Sequence, residues 1–392
     1  MIQVDYERCT GCGACMQKCP RQCISWKQGE LGFYYPSVDK EKCINCGMCE
    51  KVCPIHKEIK QPESQTTYAV THKDASVLSE STSGGAFSAI ANMILAHGGI
   101  VYGAIMTANM QVKHARIEKE EELACLQGSK YVQSNIEETY KQAERDLKKR
   151  KLVLYSGTPC QIAGLQSFLG KKYDNLYTID IVCHGVGSQL YFNKYMDFAR
   201  KRYGDIQTLK FRSKEFVGWS CGGVVVVVNK KSGEIIHIPY RDYDNYYYSY
   251  FLSGDIYRRS CYSCKYANTK RTGDFTLGDY WGVEALQLPL KTENGCSLVL
   301  VNNERAMSLF QKLDLLETVQ TTIEEATHCN KQLKQPSKLT NCRDVRISEY
   351  ETMDGQQIQK AYLKSHRKTV LKGQLKAILP YRVKLFIRKH RK

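Results

Sequence analysis

Two stretches near the start of the chain decide how it folds: residues 9–20, CTGCGACMQKCP, and residues 43–54, CINCGMCEKVCP. Both follow the pattern C-x2-C-x2-C-x3-C-P, so the second stretch repeats the first. Three closely spaced thiolates can hold three corners of an iron–sulfur cubane, while the fourth cysteine of each run ligates the other cluster. The repeat predicts two 4Fe-4S clusters. Zinc is the simpler alternative, but it takes four ligands and needs no second run ending in proline.

The spacing assigns eight thiols to the two clusters. One set is Cys9, Cys12, Cys15 and Cys53, and the other is Cys43, Cys46, Cys49 and Cys19. The repeat resembles bacterial two-cluster ferredoxins over about residues 1–60. Cys23, which follows the first run, is expected to be a buried thiol and not a ligand.

The overall composition describes a globular chain that keeps its thiols reduced. With 392 residues, of which 42% are hydrophobic, the chain is long enough for two or three domains and too apolar to be disordered. No apolar run approaches the ~20 residues of a membrane helix. The start, MIQVDYERC, lacks the features of a signal peptide. A cytoplasmic location is therefore predicted, where clustered cysteines indicate metal ligands or redox centres.

After a polar linker at residues 57–67, apolar and helical segments alternate. Buried strands are predicted at residues 68–71, 100–106, 152–155 and 177–182, and helical segments at residues 86–97 and 118–126. Residues 223–239 predict a hairpin, because two β-rich runs flank a Lys-Ser-Gly turn. Strands alternating with helices predict an α/β domain.

Several turns of this domain suit an anionic cofactor. The sequence SGG at residues 83–85 opens a helix and so offers free N–H groups that suit a phosphate, although this turn taken alone is better explained by an ordinary capped helix. GSKY at 128–131 places a hydroxyl and a cation beside a glycine. SGTPCQ at 156–161 directly follows a strand, at the edge where open α/β sheets bind ligands.

With CYSC at residues 261–264 and GDFTLGD at 273–279, these motifs resemble the coenzyme F420 hydrogenase/dehydrogenase beta-subunit family over about residues 1–340. The resemblance implies a bound FAD and a third 4Fe-4S cluster. The ligands of that cluster would be Cys160, Cys183, Cys261 and Cys264, which could otherwise be separate buried thiols or a zinc site. The cofactor contacts would be Ser83, Gly84, Gly85, Ser129, Lys130, Gly157, Thr158 and Asp279. His184 is a weak candidate for a catalytic proton donor, since a lone histidine is more often structural.

The predicted fold is α+β and α/β: a bacterial-ferredoxin-like two-cluster domain, then a flavin-binding α/β body, then a basic amphipathic tail. The expected boundaries are residues 1–60 for the first domain, 66–150 and 151–345 for the two parts of the body, and 346–392 for the tail. Residues 364–392 carry 11 Lys and Arg and no acidic residue. Such a segment favours an anionic membrane surface or an acidic partner. A frayed, solvated tail is the simpler alternative, and nucleic acid is not favoured because no recognition motif accompanies the charge.

These features predict a flavin-dependent iron–sulfur oxidoreductase. A reduced ferredoxin or a partner subunit would donate electrons, and the flavin would deliver them to a small organic substrate or a deazaflavin carrier. One alternative is an electron-input subunit that oxidises or reduces coenzyme F420 within a larger complex. Another is a non-catalytic redox relay at the membrane. The expected location is the cytoplasm or the inner face of the membrane.

Overall fold

The computed structural model describes residues 2–57, 59 and 66–378 of the chain. It consists of an N-terminal module with a two-stranded sheet, a central eight-stranded sheet, and a separate three-stranded sheet. Most of the predicted linker at residues 57–67 falls outside the described residues. Within the described ranges, no helix has both the length and the apolar character that crossing a membrane requires.

Strands and helices are mixed along the chain, with pairs or runs of each. The strands are β1 (Ile24–Gln28), β2 (Tyr34–Val38), β3 (Thr66–His72), β4 (Ile100–Met106), β5 (Val112–Ile117), β6 (Val153–Gly157), β7 (Leu176–Ile181), β8 (Asp205–Lys210), β9 (Gly222–Val228), β10 (Ile235–Arg241), β11 (Phe275–Asp279), β12 (Ser297–Val301) and β13 (Leu316–Thr321). The helices are α1 (Ala14–Lys18), α2 (Met48–Lys51), α3 (Ala75–Glu80), α4 (Ala86–Ala96), α5 (Thr139–Lys148), α6 (Pro159–Leu169), α7 (Gln189–Tyr203), α8 (Tyr246–Ser253), α9 (Glu304–Phe310), α10 (Ile323–Cys329), α11 (Arg343–Thr352), α12 (Gly355–Ser365) and α13 (Arg367–Ile378).

The sequence repeat of the N-terminal module is also a structural repeat. Helix α1 begins after Gly13 and helix α2 begins after Gly47, with φ angles of 73° and 71°. Glycine adopts this left-handed conformation without the steric penalty that other residues pay. Strands β1 and β2 connect the two halves and pair in antiparallel fashion. The middle of each cysteine run is thereby folded into the same tight turn.

The central sheet has the order β13-β3-β12-β11-β7-β6-β4-β5. Its core strands β4, β6, β7 and β11 are parallel, whereas β5, β12, β3 and β13 add antiparallel pairs at the sides. The carboxyl ends of β6, β7 and β11 therefore meet at one edge of the sheet. The four predicted strands of this region are confirmed; the residues at 118–126 instead form a 3₁₀ turn, Glu120–Cys125, after the unpredicted β5.

Helices cover both faces of this sheet. On one face, α5 and α6 bury Tyr140 and Ile162 in a core that also contains Cys12 and Cys49. The N-terminal module therefore packs against this face of the body. On the other face, α4 and α9 bury residues such as Ile90 against the sheet. This layered α/β arrangement is the predicted fold class.

A second core surrounds the three-stranded sheet. In this sheet, β9 pairs with β8 on one side and with β10 on the other. The antiparallel β9–β10 pair is the predicted hairpin. Four tyrosines of α8, Tyr246, Tyr247, Tyr248 and Tyr250, are almost fully buried in this core together with side chains of α7 and α12. The tyrosine-rich stretch therefore packs and does not present a stacking surface to solvent.

The segment expected to begin the tail lies against the body instead. Ile358 and Tyr362 of α12 are fully buried, one helical turn apart, and the hydroxyl of Tyr362 donates to the carbonyl of Tyr243 at 3.2 Å. Helices α11 and α12 therefore present apolar and paired residues to the body, in the part of the chain where the sequence predicts the start of a tail. In α13, by contrast, Leu371 and Leu375 are exposed.

Candidate functional site

The first predicted set of thiols surrounds a small cavity in the N-terminal module. Cys9, Cys12, Cys15 and Cys53 all lie on its wall. Burial, together with the nearby thiols of Cys9 and Cys53, raises the pKa of Cys12 to about 12. Four thiols so close together are poor thiolates unless a cation binds them, because like charges repel in a buried site. The donor chemistry and the crossed contribution of Cys53 fit a 4Fe-4S cluster.

The second set surrounds a neighbouring cavity. Cys19, Cys43, Cys46 and Cys49 lie on its wall, and Cys46 is exposed at the surface. Cys23 is buried on the same wall, with its Sγ 3.4 Å from that of Cys19. This cavity therefore has five thiols around it. Spacing alone distinguishes the four expected ligands from Cys23.

The four body cysteines come from three separate parts of the fold. Cys160 lies in the first turn of α6, Cys183 follows β7, and Cys261 and Cys264 lie in and just after the 3₁₀ turn Arg259–Ser263. Burial, then the nearby thiols of Cys264 and Cys160, raises the pKa of Cys261 to about 12. Cys183 has a raised pKa from burial and from the other three thiols. Each of the four predicted thiols therefore lies near another member of the set, as a shared cluster would require.

Neighbouring thiols link the first predicted set to each of the other two sets. Cys15 of the first set interacts with Cys49 of the second, and Cys12 of the first set interacts with Cys160 of the body. In the body set, Cys183 also lies on the wall of a large cavity. The first set is thus adjacent both to the second set, which contains the exposed Cys46, and to the body set.

The large cavity has a volume of about 400 Å³ and lies at the edge where the central parallel strands end. Its wall contains most of the predicted cofactor contacts, together with His184: Ser83, Gly85, Ser129, Lys130, Gly157, Thr158 and Asp279. Gly84 is not on the wall. Its N–H donates to Ser297 Oγ at 2.9 Å, and a Cβ at this position would lie 2.1 Å from the carbonyl oxygen of Val70. Gly84 is therefore required for close packing of the turn.

One end of the cavity is formed by the start of α4. This helix begins after Gly85, whose φ is 83°, and no side chain caps its first turn. The turn is tied to the 128–131 segment, since the N–H of Ser129 donates to Thr82 Oγ1 at 3.2 Å. Free N–H groups and the positive end of the helix dipole favour a phosphate at this place.

Two lysines add positive charge at the same end. Lys214 Nζ donates to the carbonyl of Ser83 at 2.7 Å, and Lys130 Nζ donates to three carbonyls, the shortest being that of Gln127 at 2.7 Å. No ion pair of either lysine occurs among the described residues, and burial lowers the pKa of each to about 8. The ammonium group of Lys130 thus donates to backbone carbonyls. Its charge lies at the cavity wall, where the sequence predicts a contact with the cofactor. An anionic group in the cavity would offset both charges.

Asp279, on the cavity wall, also has partners within the protein. Its carboxylate accepts hydrogen bonds from Arg212 Nη1 and Trp219 Nε1, each at 2.8 Å. Trp219 in turn stacks on Trp281, with ring centroids 5.0 Å apart. Asp279 therefore positions Arg212 and the tryptophan pair. Arg212 and Trp281 both line the cavity, and neither belongs to a local motif that could have revealed it.

His114 is a further cavity residue that the sequence did not indicate. One ring nitrogen, Nε2, lies 2.9 Å from the carbonyl oxygen of Ser156, and Nδ1 lies 2.9 Å from Ser134 Oγ. A carbonyl only accepts, so Nε2 carries the proton and Nδ1 accepts from the hydroxyl. Burial lowers the pKa of His114 to about 4. Gln161 donates to Ser134 Oγ at 3.0 Å and accepts from the N–H of Thr158 at 3.0 Å, so it links this network to the cavity wall.

His184 lies on the cavity wall beside Cys183. Burial lowers the pKa of its imidazole, and the nearby carboxylate of Asp279 offsets part of this effect. The ring is therefore neutral at neutral pH, with one nitrogen carrying a proton and the other free of one. A group of this kind can donate or accept a proton at the cavity.

Comparison with known proteins identifies two domains. Residues 8–56 match the family described as 4Fe-4S dicluster domain, and residues 150–326 match the family described as the C terminus of the coenzyme F420 hydrogenase/dehydrogenase beta subunit. A chain in a solved structure of the F420-reducing NiFe hydrogenase complex from Methanosarcina barkeri is 15% identical, with a TM-score of 0.44; the match covers 74% of this chain and 91% of that chain. Among curated proteins, none matches this chain.

The resemblance predicted from the cysteine runs and the body motifs is confirmed by these matches. The chain is an iron–sulfur protein that joins a 4Fe-4S dicluster domain to a domain of the coenzyme F420 hydrogenase/dehydrogenase beta-subunit family.

Proposed function

We propose that the chain is an iron–sulfur flavoprotein oxidoreductase that transfers electrons between a partner protein and an organic substrate or carrier. The observation that carries this proposal is the position of Cys183, which belongs to the group of body thiols and also lines the large cavity. The thiol groups and the cavity are thereby parts of one continuous site.

The twelve predicted ligands divide into three sets of four. The two N-terminal sets each surround a cavity of their own, and the third is the group of Cys160, Cys183, Cys261 and Cys264. When bound, 4Fe-4S clusters would supply one-electron transfer and FAD would supply conversion to two-electron chemistry. The fold keeps the first set adjacent to the other two.

The large cavity would hold the flavin with its diphosphate at the start of α4. Ser83 and Ser129 border this end, and Lys214 and Lys130 make it electropositive. Gly157 and Thr158 line the wall at the carboxyl end of β6. His184, beside Cys183, would hold a proton for the substrate.

The partner protein would contact the surface around Cys46. This thiol is exposed, and the neighbouring Ile44 has 60% of its surface accessible to solvent. Because the second thiol set reaches solvent at Cys46, a reduced ferredoxin or a partner subunit is best placed to exchange electrons here. Residues 1–60 would form the electron-transfer module and the α/β body after it the flavin module.

The basic C-terminal segment would hold the protein at an anionic membrane surface. Leu371 and Leu375 of α13 are exposed on the same side of the helix, since they are four residues apart. They lie within the segment of 11 Lys and Arg that has no acidic residue. Exposed leucines among basic residues are the combination that binds lipid headgroups and acyl chains.

The decisive experiment is the measurement of iron, acid-labile sulfide and flavin in protein purified without oxygen. About 12 irons and one flavin per chain are expected for three four-iron clusters and one FAD. About 8 irons without flavin would contradict both the third cluster and the flavoenzyme. With flavin present, rapid reduction by a deazaflavin would favour the F420-linked alternative, and failure to turn over with any acceptor would favour the relay.

A further inference from the structure

Arg258 is almost completely buried where the N-terminal module meets the body. Only 1% of its surface is exposed. Its Nε donates to the carbonyl of Cys9 at 2.7 Å, Nη2 donates to the carbonyl of Tyr34 at 2.9 Å, and Nη1 donates to Gln133 Oε1 at 3.1 Å. All three acceptors are neutral. The contacts satisfy the donors of the guanidinium but leave its charge without a counter-charge.

The other buried arginines are different. Each of them forms an ion pair with a carboxylate: Arg212 with Asp279, Arg271 with Asp180, Arg343 with Glu30 and Arg346 with Glu349. Among the described residues, no carboxylate forms an ion pair with Arg258. A buried charge is costly to a protein unless an opposite charge lies nearby. The fold therefore provides a place for a negative charge near Arg258.

Thiols of two predicted cluster sites surround this guanidinium. Nη2 lies 3.8 Å from Cys9 Sγ, which belongs to the first set. The charge of Arg258 also acts on Cys160 and Cys261 of the body set. Arg258 is thus located between two adjacent groups of thiols and contacts one of them directly.

We propose that Arg258 is a positioning residue that supplies the counter-charge for the clusters of the first set and the body set, and that it raises their reduction potentials. This inference rests on the proposed function. A cluster with four thiolates is anionic and becomes more negative on reduction, so a fixed cation nearby favours the reduced form. Hydrogen bonds to cluster sulfurs also change the potential.

The test is a redox titration of the full-length protein, monitored by electron paramagnetic resonance. In Arg258→Gln, the potentials of two clusters are expected to become more negative, each by at least a tenfold change in the reduction equilibrium, which is ~59 mV for one electron. The reduction potential of the third cluster, held by the set that contains Cys46, is expected to be unchanged and serves as an internal reference. Arg258→Lys keeps the charge but has fewer donors, so a smaller negative shift is expected.

Arg259→Gln is the matched control. Arg259 is the next residue, is one-third exposed and pairs with Glu7, so its loss is expected to leave all potentials unchanged. Unchanged potentials in an iron-loaded Arg258→Gln protein would overturn the inference. If that variant does not fold, unchanged potentials in Arg258→Met, which also lacks the charge, would overturn it instead. A parent protein without clusters would refute the proposed function, which is a separate outcome.

Discussion

Gly164 of α6 lies directly against Cys12 of the first cysteine run. A Cβ at Gly164 would be 3.1 Å from Cys12 Sγ and 2.8 Å from the hydroxyl oxygen of Tyr140. There is no room for a methyl group between the body helix and the loop that carries the thiol. The contact makes the first thiol set depend on the body for its shape.

We therefore expect Gly164→Ala to disturb the first thiol set. Overpacking of a close contact costs about 1–3 kcal/mol of unfolding free energy, and the displaced Cys12 would bind iron less well. The measurements are the thermal unfolding midpoint and the iron content. Ser167→Ala is the control in the same helix, because the buried hydroxyl of Ser167 has no hydrogen-bond partner among the described residues. Full iron content in Gly164→Ala would show that the contact is not needed.

The sequence predicted the parts of the site that depend on short-range patterns. Both N-terminal thiol sets surround separate cavities because C-x2-C-x2-C turns and the crossed fourth cysteine are encoded locally. The parallel strands and the ends of β6 and β7 were also predictable from alternating apolar runs. Cavity residues such as Arg212 were missed, since the contact with Asp279 joins positions 67 residues apart in sequence.

The hydrogen-bond partners of two predicted cofactor contacts could not be predicted either, for a related reason. Residue type at a turn indicates what a side chain can bind. It does not indicate whether other groups of the protein already occupy the donors or acceptors of that side chain. Lys130 illustrates this, because three carbonyls of the preceding turn accept from its ammonium group. Asp279 illustrates it again, because Arg212 and Trp219 occupy both of its oxygens.

A second prediction concerns Cys183. Cys183→Ser is expected to lower the iron content by about four per chain, because a serine hydroxyl replaces one of four thiolates, while the two N-terminal clusters remain. The measurements are iron and acid-labile sulfide. Cys221→Ser is the matched control, since Cys221 lines the same cavity but its thiol interacts with Arg212 and Asp279 and not with the body thiols. Equal iron in both variants would remove Cys183 from the ligand set.

A third prediction follows from the burial of His114. Its folded pKa of about 4 lies below the usual value of 6.5, so the unfolded chain takes up a proton first as the pH falls. The stabilisation is complete above pH 6.5 and decreases toward pH 4, by about 2 kcal/mol at pH 5. The fall in unfolding temperature between pH 7.5 and pH 5 is expected to be smaller in His114→Gln than in the parent. His97→Gln, at an exposed position, is expected to behave like the parent.

The last prediction concerns the exposed leucines of α13. Leu371 and Leu375 are 49% and 68% exposed, and both lie in the basic segment. The full chain is expected to sediment with vesicles containing phosphatidylserine but not with phosphatidylcholine vesicles, and added salt is expected to weaken this binding because it screens the lysines and arginines. Replacing both leucines with glutamine is expected to lower the affinity about tenfold or more, since burying one leucine contributes about 1.5–3 kcal/mol.

Leu339→Gln is the control for this experiment, because Leu339 is 50% exposed but lies outside the basic segment. Equal binding to both kinds of vesicle would show that the leucines bind the membrane and that lipid charge plays no part. If the double substitution leaves vesicle binding unchanged, the basic residues alone account for the attraction to the membrane. If the full chain binds neither kind of vesicle, the membrane proposal fails, and an acidic protein becomes the partner that the charge of this segment favours.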